Sequence, residues 1–293
     1  MAASYKHDPL PEGRFIRLLH LHPARNLKTP LRCSVTTVAL EEIGSPAYKY
    51  EALSYVWGSP VGDRSLAVGA DGKSLLITQN CETAMKYLRL RKETRTLWID
   101  SICIDQQCIN EKNHQLSLMG DIYRQAWKTL IWLGPEHEKV LREMQRMQNG
   151  TGKLCILLWT LFRKRFAPKK PSMLERFRAL CNSPWFTRVW TLQELLLSPN
   201  PYAVSRSALL PWGQLLEIAK DYIIYGAIDH GDILSVLAFD RDYHVKYPDL
   251  AVFEEAARCE EFCKPLVESC SECISDYLLN RKPQTPEGNT AAL

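Results

Sequence analysis

The stretch LWIDSICIDQQCINEKNHQLSLMGDIYRQAWKTLIWLG, residues 97–134, decides the fold of this chain. Its two ends, Leu97–Ile99 and Thr129–Leu133, are apolar runs without alternation, which is typical of strands buried on both faces of a parallel sheet. Between them the sequence predicts a crossover helix, because apolar residues recur along one helix face. That face carries Leu116, Met119, Tyr123 and Ala126. The stretch therefore predicts a strand, a helix and a second strand, with a polar loop at residues 101–110.

Short apolar runs upstream of this stretch predict further strands. FIRLLHL at Phe15–Leu21 and LRCSVTTVAL at Leu31–Leu40 predict a β-hairpin. YEALSYVWG at Tyr50–Gly58 predicts one short strand. Ser65–Val68 and Ser74–Ile77 flank an Asp-Gly pair, which predicts a second hairpin. These elements together indicate an α/β fold in which a parallel sheet is flanked by helices and extended by N-terminal hairpins.

Two helices can be placed from the residues that begin them. Asn80 is expected to cap a helix that continues to Arg91. Ser183, followed by Pro184, is expected to begin the helix PWFTRVWTLQELLL, which ends at Leu197.

The second of these helices places a carboxylate next to an aromatic ring. Its core stripe consists of Trp185, Val189, Leu192 and Leu196. Trp190 and Glu194 are one turn apart and point to nearly the opposite side. A glutamate there either forms a surface ion pair or is partly desolvated by the indole, which would raise its pKa and suit it to acid–base or cation-stabilising chemistry. Both interpretations of Glu194 stay open on the sequence alone.

Aromatic and acidic residues follow the predicted strands. In an open α/β sheet, ligands bind outside the carboxyl ends of the strands. If the strands are parallel, Tyr55, Trp57, Asp100 and the 101–110 loop surround one cleft. The structural alternative is that Trp57 belongs to the core, while Asp100 caps a turn or pairs with an arginine.

Composition gives no support to several classes of function. The chain has 293 residues, of which 46% are hydrophobic and 24% charged, and its formal net charge is +4. The sequence has no basic stripe with interleaved aromatic residues, the pattern that would indicate nucleic-acid binding. No apolar run approaches the roughly 20 residues that cross a bilayer, and the N-terminus does not resemble a secretory signal. The ten cysteines are therefore expected to be reduced thiols in a cytoplasmic protein.

Changes in composition along the chain divide it into regions. Residues 1–13 are predicted to be a disordered leader and residues 14–198 the principal domain. Within that domain, residues 149–172 are either an insertion or lid, or a solvated basic loop beside a buried helix. Residues 199–281 are expected to be mainly helical and residues 282–293 to be a disordered tail.

Four cysteines in the C-terminal third raise the question of a metal site, namely Cys259, Cys263, Cys270 and Cys273. Only the last pair has the short C-x2-C spacing of zinc hooks, so buried thiols are the main interpretation and a zinc module is a minor alternative. No catalytic serine elbow, phosphate-binding loop or dinucleotide-binding glycine motif is present. Because only one of the cysteine pairs has this spacing, no metal site is predicted.

Three blocks of sequence carry a resemblance to a known family. YEALSYVWG, then LWIDSICIDQ with the helix and LIWLG that follow, then PWFTRVWTLQE resemble the motifs of the fungal heterokaryon incompatibility (HET) domain. The likeness covers residues 50–195, and FIRLLHL resembles the usual lead-in of the family. Asp105 departs from the asparagine more common there, and the segment after Leu197 lacks a Gly-containing strand, which leaves the C-terminal boundary open.

The resemblance implies a domain that triggers cell death when non-self is detected, and a TIR-like, flavodoxin-like parallel core. Trp190 and Glu194 match the W-x-x-x-E pattern of NAD-cleaving TIR domains, which would make Glu194 the catalytic carboxylate. The substrate-binding residues would be Tyr55, Trp57, Gly58, Asp100, Asp105, Gln106 and Trp190. NAD would be a substrate, with no bound cofactor. The active form would be a homo-oligomer, with a protein partner from the incompatibility system.

The chemistry suits so sparse a site. Nicotinamide leaves NAD as a neutral pyridine, so the transition state mainly needs one carboxylate to stabilise an oxocarbenium-like ribosyl centre. An aromatic ring could stack on the nicotinamide or the adenine, and Tyr55, Trp57 and Trp190 are candidates. The competing hypothesis is a non-catalytic signalling scaffold that acts by self-association. The scaffold would expose an apolar patch and have no pocket at Glu194.

Overall fold

One mixed sheet organises the residues that the structure describes. The structure is a computed structural model and describes residues 3–43, 49–59, 62–147, 173–188 and 190–224. The strands are β1 (Phe15–Leu21), β2 (Arg32–Ala39), β3 (Glu51–Tyr55), β4 (Arg64–Val68), β5 (Lys73–Ile77), β6 (Arg95–Trp98), β7 (Lys128–Trp132), β8 (Pro201–Ser205) and β9 (Ala208–Pro211). The helices are α1 (Gln79–Leu88), α2 (Asp100–Cys103), α3 (Ile109–Gln125), α4 (Glu138–Met147), α5 (Met173–Cys181), α6 (Trp190–Leu196) and α7 (Trp212–Ile224).

Four parallel strands form the centre of this sheet. The order across the described sheet is β5-β4-β2-β1-β6-β3-β7-β8-β9. β3 pairs in parallel with β6 on one side and with β7 on the other, and β7 pairs in parallel with β8. Every residue of β3 is buried, which is why its sequence shows no polar–apolar alternation. The carboxyl ends of these strands therefore meet at one edge of the sheet.

The expected α/β architecture is confirmed, but the expectation of a parallel sheet is wrong, because the nine described strands form a mixed sheet. The hairpin of β1 and β2 adds to the sheet through β1, which runs antiparallel to β6. At the other side, β9 runs antiparallel to β8. Both additions cover an edge of the parallel core that would otherwise offer unpaired N–H and C=O groups.

The decisive stretch folds as a strand, a helix and a strand, as predicted. β6, α3 and β7 supply these elements, but β3 lies between the two strands. The loop predicted at residues 101–110 begins with the short helix α2. A long crossover can span an intervening strand, and the local sequence does not record whether it does.

Both predicted hairpins are present. β1 pairs with β2 from Phe15–Ala39 to Leu21–Cys33, and β4 pairs with β5 around the Asp-Gly turn. Gly72 in that turn has φ +62°, a left-handed conformation that favours glycine. The predicted cap of α1 is wrong, because Thr78 is the N-cap and its side chain accepts a hydrogen bond from the Cys81 N–H.

The predicted helix from Ser183 to Leu197 is divided in two. Pro184–Thr187 forms one turn of 3-10 helix, Arg188 is extended with ψ 130°, and α6 begins at Trp190. Of the predicted core stripe, Trp185 is fully buried and Leu196 is half-buried, and nothing is described for the side chains of the other two members. On either side of this division, Trp185 and Glu194 of α6 both bond to the Ser54 hydroxyl on β3.

Residues 3–13, predicted to be a disordered leader, lie along the domain. The Tyr5 N–H donates to the Ser74 carbonyl oxygen at 2.9 Å, beside the edge strand β5. At the other end of the segment, the His114 ring pairs with the Gly13 carbonyl oxygen at 2.8 Å. Defined hydrogen bonds thus hold both ends of the segment.

Past residue 198, the predicted end of the principal domain, the sheet continues. β8 and β9 form a hairpin, and α7 follows it. The predicted insertion at 149–172, the rest of the predicted helical region from residue 225, the tail and the four C-terminal cysteines lie outside the described residues. Within the described part of the chain, no helix is long and apolar enough to cross a membrane.

Candidate functional site

Side chains from three strand ends meet at the carboxyl edge of the parallel strands. Trp57 lies two residues beyond β3, and Asp100 lies just beyond β6. The Trp57 indole N–H donates to the Asp100 carboxylate at 2.9 Å. Asn80 on α1 donates its side-chain N–H to the Val56 carbonyl oxygen and accepts the Trp132 indole N–H at 3.0 Å. Side-chain hydrogen bonds therefore join the strand ends around which the sequence predicts a cleft.

Asp100 is held on both carboxylate oxygens. One accepts the Trp57 indole N–H at 2.9 Å and the other accepts the Ser101 backbone N–H at 2.6 Å. Burial raises the pKa of Asp100, while these two hydrogen bonds and the nearby charge of Arg188 oppose the rise. The Asp100 carboxylate thus binds the next backbone N–H and a side chain from a second strand end, while the N-cap of its helix is Ile99.

The short helix α2, which begins at Asp100, is fixed by side chains at its carbonyl oxygens. Gln106 donates to the Asp100 carbonyl oxygen at 2.9 Å, and Arg17 donates to the Cys103 carbonyl oxygen at 3.0 Å. The His7 ring pairs with the Ile102 carbonyl oxygen at 2.7 Å. A four-residue helix has few internal hydrogen bonds, so these contacts hold Asp100 in place.

Glu194 is buried against the central strand. The Ser54 hydroxyl donates to the Glu194 carboxylate and accepts the Trp185 indole N–H at 2.7 Å. Only 3% of Glu194 is exposed. Burial raises the pKa of Glu194 to about 7, although hydrogen bonds from Ser54 and Tyr123 and the Arg188 charge oppose the rise. A carboxyl group with this pKa exchanges protons readily near neutral pH.

Arg188 connects the two carboxylates electrostatically. Its guanidinium donates to the Tyr55 carbonyl oxygen at the end of β3. Its positive charge lowers the pKa of both Asp100 and Glu194. The extended backbone at Arg188, which interrupts the predicted helix, places the guanidinium at this edge of the sheet.

The remaining predicted site residues occupy different surroundings. Tyr55 is 2% exposed and its hydroxyl pairs with the Ser101 hydroxyl at 2.6 Å, so its ring belongs to the core. Gly58 is exposed and has φ +77°. Trp190 is half-buried at the start of α6, and the indole that joins the Glu194 network is that of Trp185. Glu194 is thus joined to Trp185 through the Ser54 hydroxyl.

Asp105 lies on the far side of the same loop. Its backbone N–H donates to the Glu111 carboxylate at 2.7 Å, and its carboxylate accepts the Gln107 N–H at 3.0 Å. It lines a cavity of about 460 Å³ between the N-terminal segment and the start of α3. The structure thus brings Trp57, Asp100 and Glu194 near one edge, with Gln106 on Asp100, and places Asp105 toward a separate cavity.

Sequence reasoning missed three contributors to the Glu194 network: Ser54, Arg188 and the Tyr123 hydroxyl. Ser54 is a polar residue inside a buried apolar strand, and Arg188 is an isolated charge in an apolar segment; both are signals of a buried partner. Tyr123 was assigned to a core stripe, which its 1% exposure confirms. Among the residues that the structure describes, no group of three or more His, Cys, Asp or Glu could hold a metal ion.

Removing the Ser54 hydroxyl tests the network directly. We expect Ser54→Ala to raise the pKa of Glu194 further, because the ionised form loses a hydrogen-bond donor. The Trp185 indole N–H also loses its acceptor, which is expected to cost about 1–3 kcal/mol of unfolding free energy. Carboxyl titration by NMR and denaturant unfolding measure the two effects. Ser65→Ala, at an exposed hydroxyl pair on β4, is the matched control; an unchanged Glu194 titration in Ser54→Ala would contradict the network.

Fold and site together define an α/β domain that buries a carboxylate at the carboxyl edge of its parallel strands. The model of the heterokaryon incompatibility protein (HET) family matches residues 50–194. Residues 50–194 are therefore a HET domain, as the three sequence blocks predict.

A curated relative extends this likeness beyond the domain. The chain is 32% identical over 219 residues to heterokaryon incompatibility protein 6, OR allele, from Neurospora crassa. That alignment covers 62% of this chain and 32% of the relative, so the chain spans about a third of the length of the relative it matches. No solved structure matches this chain.

Proposed function

We propose that this protein is a cytoplasmic effector of fungal heterokaryon incompatibility and programmed cell death, and that it hydrolyses the N-glycosidic bond of NAD with Glu194 as the catalytic carboxylate. The observation that carries the enzymatic part is the position of Glu194, buried on Ser54 next to the carboxyl end of the central strand. The HET domain and the name of the relative support the part in incompatibility.

The order of the parallel strands supports a TIR-like core. Counted along the chain, β3 is the first parallel strand, β6 the second, β7 the third and β8 the fourth. Across the sheet they follow as second, first, third and fourth. Flavodoxin-like sheets have this strand order. They bind their ligand at the carboxyl ends of the first and third strands, where the strand order reverses direction. Ser54, which bonds to Glu194, lies on β3, the first of these strands. It pairs with Ile131 on β7, the third strand.

In the proposed reaction the bond between the ribosyl C1′ and the nicotinamide nitrogen breaks, and its electron pair returns to the ring nitrogen. Nicotinamide leaves as a neutral molecule, so no general acid is needed. Ionised Glu194 stabilises the positive charge that develops at C1′ and accepts a proton from the attacking water. The products are ADP-ribose, nicotinamide and one proton released to solvent.

The described state of the site is closed. Glu194 is 3% exposed, and Arg188 is held on the Tyr55 carbonyl oxygen at the same edge. Substrate therefore reaches the carboxylate only after a movement at this edge of the sheet. We propose that self-association, with or without a protein partner of the incompatibility system, brings about this movement and so couples killing to recognition.

A non-catalytic scaffold is the second candidate, because large apolar side chains are exposed. Leu76 on the edge strand β5 is 65% exposed, and Ile109 at the start of α3 is 73% exposed. Exposed apolar side chains are a route to self-association. In this case the buried Glu194 is a structural residue.

The deciding experiment measures nicotinamide release from NAD by purified wild-type protein, at low concentration and after concentration or crosslinking that forces assembly. Release that grows with assembly and is lost in Glu194→Gln supports the enzyme. Absence of release under every condition, together with killing by Glu194→Gln on expression, supports the scaffold.

A further inference from the structure

At this site the structure holds the indole of Trp57 in a fixed orientation through the side chain of Asp100. Its N–H donates to the Asp100 carboxylate at 2.9 Å. The ring is half-buried and packs against the main core. One edge and part of the ring surface are therefore occupied, and the remaining surface is accessible at the carboxyl end of β3.

The residue that follows this tryptophan is exposed. Gly58, the next residue, has φ +77°, and a Cβ atom placed on it would meet none of the described atoms within 4 Å. The described atoms therefore leave room at the position that a side chain on Gly58 would take. The left-handed backbone there favours glycine, since other residues are strained at this φ.

Asp100 gives the ring a rigid support. Both carboxylate oxygens are engaged, and α2, which carries Asp100, is fixed by Gln106, His7 and Arg17 at its carbonyl oxygens. A support that is itself held leaves the indole little freedom to rotate. A preorganised ring loses less conformational entropy when a ligand stacks on it.

The other two aromatic candidates differ in this respect. The Tyr55 ring is 2% exposed and its hydroxyl is held by Ser101. Trp190 is half-buried at the first residue of α6. Trp57 alone of the three combines an accessible ring with the hydrogen bond to Asp100 described above.

We infer that Trp57 is the surface on which a planar heteroaromatic ring of the substrate stacks, and that Asp100 is the positioning residue that orients it. The inference rests on the proposed hydrolysis of NAD and assigns the ring-binding part of that site. Stacking of a base on an aromatic side chain is expected to strengthen binding about tenfold or more.

The test compares four full-length variants with the wild type: Trp57→Ala, Trp57→Phe, Asp100→Asn and Trp127→Ala. Trp127→Ala is the matched control, because that indole is 50% exposed and lies before β7, at the opposite edge of the sheet. KM and kcat for NAD are measured in each variant. Binding of NAD and of ADP-ribose is measured by calorimetry for each change in a Glu194→Gln background.

Trp57→Ala is expected to raise KM and the dissociation constant of NAD about tenfold with a smaller change in kcat. Trp57→Phe should recover most of the affinity, because it keeps a ring face. Asp100→Asn keeps an acceptor oxygen and should weaken binding less than Trp57→Ala does. Equal weakening of NAD and ADP-ribose identifies the stacked ring as adenine, and weakening of NAD alone identifies it as nicotinamide.

The outcomes separate this inference from the proposed reaction. If the wild type cleaves NAD and Trp57→Ala keeps KM within twofold, the inference is overturned and the reaction stands. If NAD binds through Trp57 without being cleaved, the inference stands and the reaction is overturned. If NAD neither binds nor is cleaved, both are overturned.

Discussion

Glu111→Ala is expected to lower the free energy of unfolding by about 3–5 kcal/mol. Arg17, which is 2% exposed, forms two hydrogen bonds to the Glu111 carboxylate, at 2.5 and 2.9 Å. Removing the carboxylate leaves the buried guanidinium without its counter-charge. Its bonds to the Asp8 and Cys103 carbonyl oxygens remain, but they do not neutralise it.

The same ion pair predicts a dependence of stability on pH. Burial alone would raise the pKa of Glu111, but hydrogen bonds from Arg17 and from the Asp105 N–H lower it overall. A carboxyl group with a lowered pKa in the folded state stabilises the protein above its unfolded pKa, about 4.3, and loses that contribution as the pH falls further. The wild type should therefore lose more stability than Glu111→Ala between about pH 5 and pH 2.

Denaturant unfolding of both proteins across this pH range measures the two effects. Asp121→Ala serves as the control, since it breaks an ion pair to Arg14 in which both side chains are more than a third exposed. Such pairs contribute about 0–1 kcal/mol. A loss in Glu111→Ala no larger than in the control would show that Arg17 does not depend on this carboxylate.

Elements that bury their own side chains could be predicted from the sequence. The runs at residues 15–21, 31–40 and 50–58 lie in β1, β2 and β3, and the apolar stripe of residues 116–126 marks the buried face of α3. In these segments the local pattern and the packing of the chain agree, so the pattern is enough. The proximity of Trp57 and Asp100 followed from the same argument, since each lies two residues beyond the end of a parallel strand.

The predictions that were wrong concern features that depend on contacts between residues distant along the chain. Arg188 ends a helical pattern because its guanidinium bonds to the carbonyl oxygen of Tyr55, 133 residues earlier. Asn80 resembles a helix cap but lies inside α1, where it joins Val56 to Trp132. β3 enters between β6 and β7 although it precedes both. Local propensity does not encode these contacts.

Glu194→Gln is expected to lower the rate of NAD cleavage by about a hundredfold to a thousandfold or more, the range found when one group that stabilises transition-state charge is removed. The neutral amide keeps the shape of the side chain and can still accept a hydrogen bond from Ser54. It cannot stabilise the positive charge at the ribosyl carbon or take a proton from water. Nicotinamide release by the assembled wild type and variant measures the difference.

The pH dependence of activity should identify the group. Burial raises the pKa of Glu194 to about 7, and catalysis requires the ionised form. The rate for the wild type should therefore rise with pH and level off above about pH 7. Arg188→Gln, which removes a charge that favours ionisation, should move this rise to higher pH. A rate that levels off near pH 4 to 5 would indicate that Glu194 is not the titrating group.

The stability of Glu194→Gln should change in the opposite direction from its activity. A carboxyl group whose pKa is raised in the folded state stabilises the protein when protonated and loses that contribution as the pH rises from about 4.3 toward 7. At pH 8 the wild type therefore holds a buried charge that the variant lacks. We expect Glu194→Gln to be more stable there by up to about 3 kcal/mol, measured by denaturant unfolding. An inactive variant that is more stable than the wild type would show that the carboxylate is kept for chemistry, because a residue kept for the fold would not destabilise it.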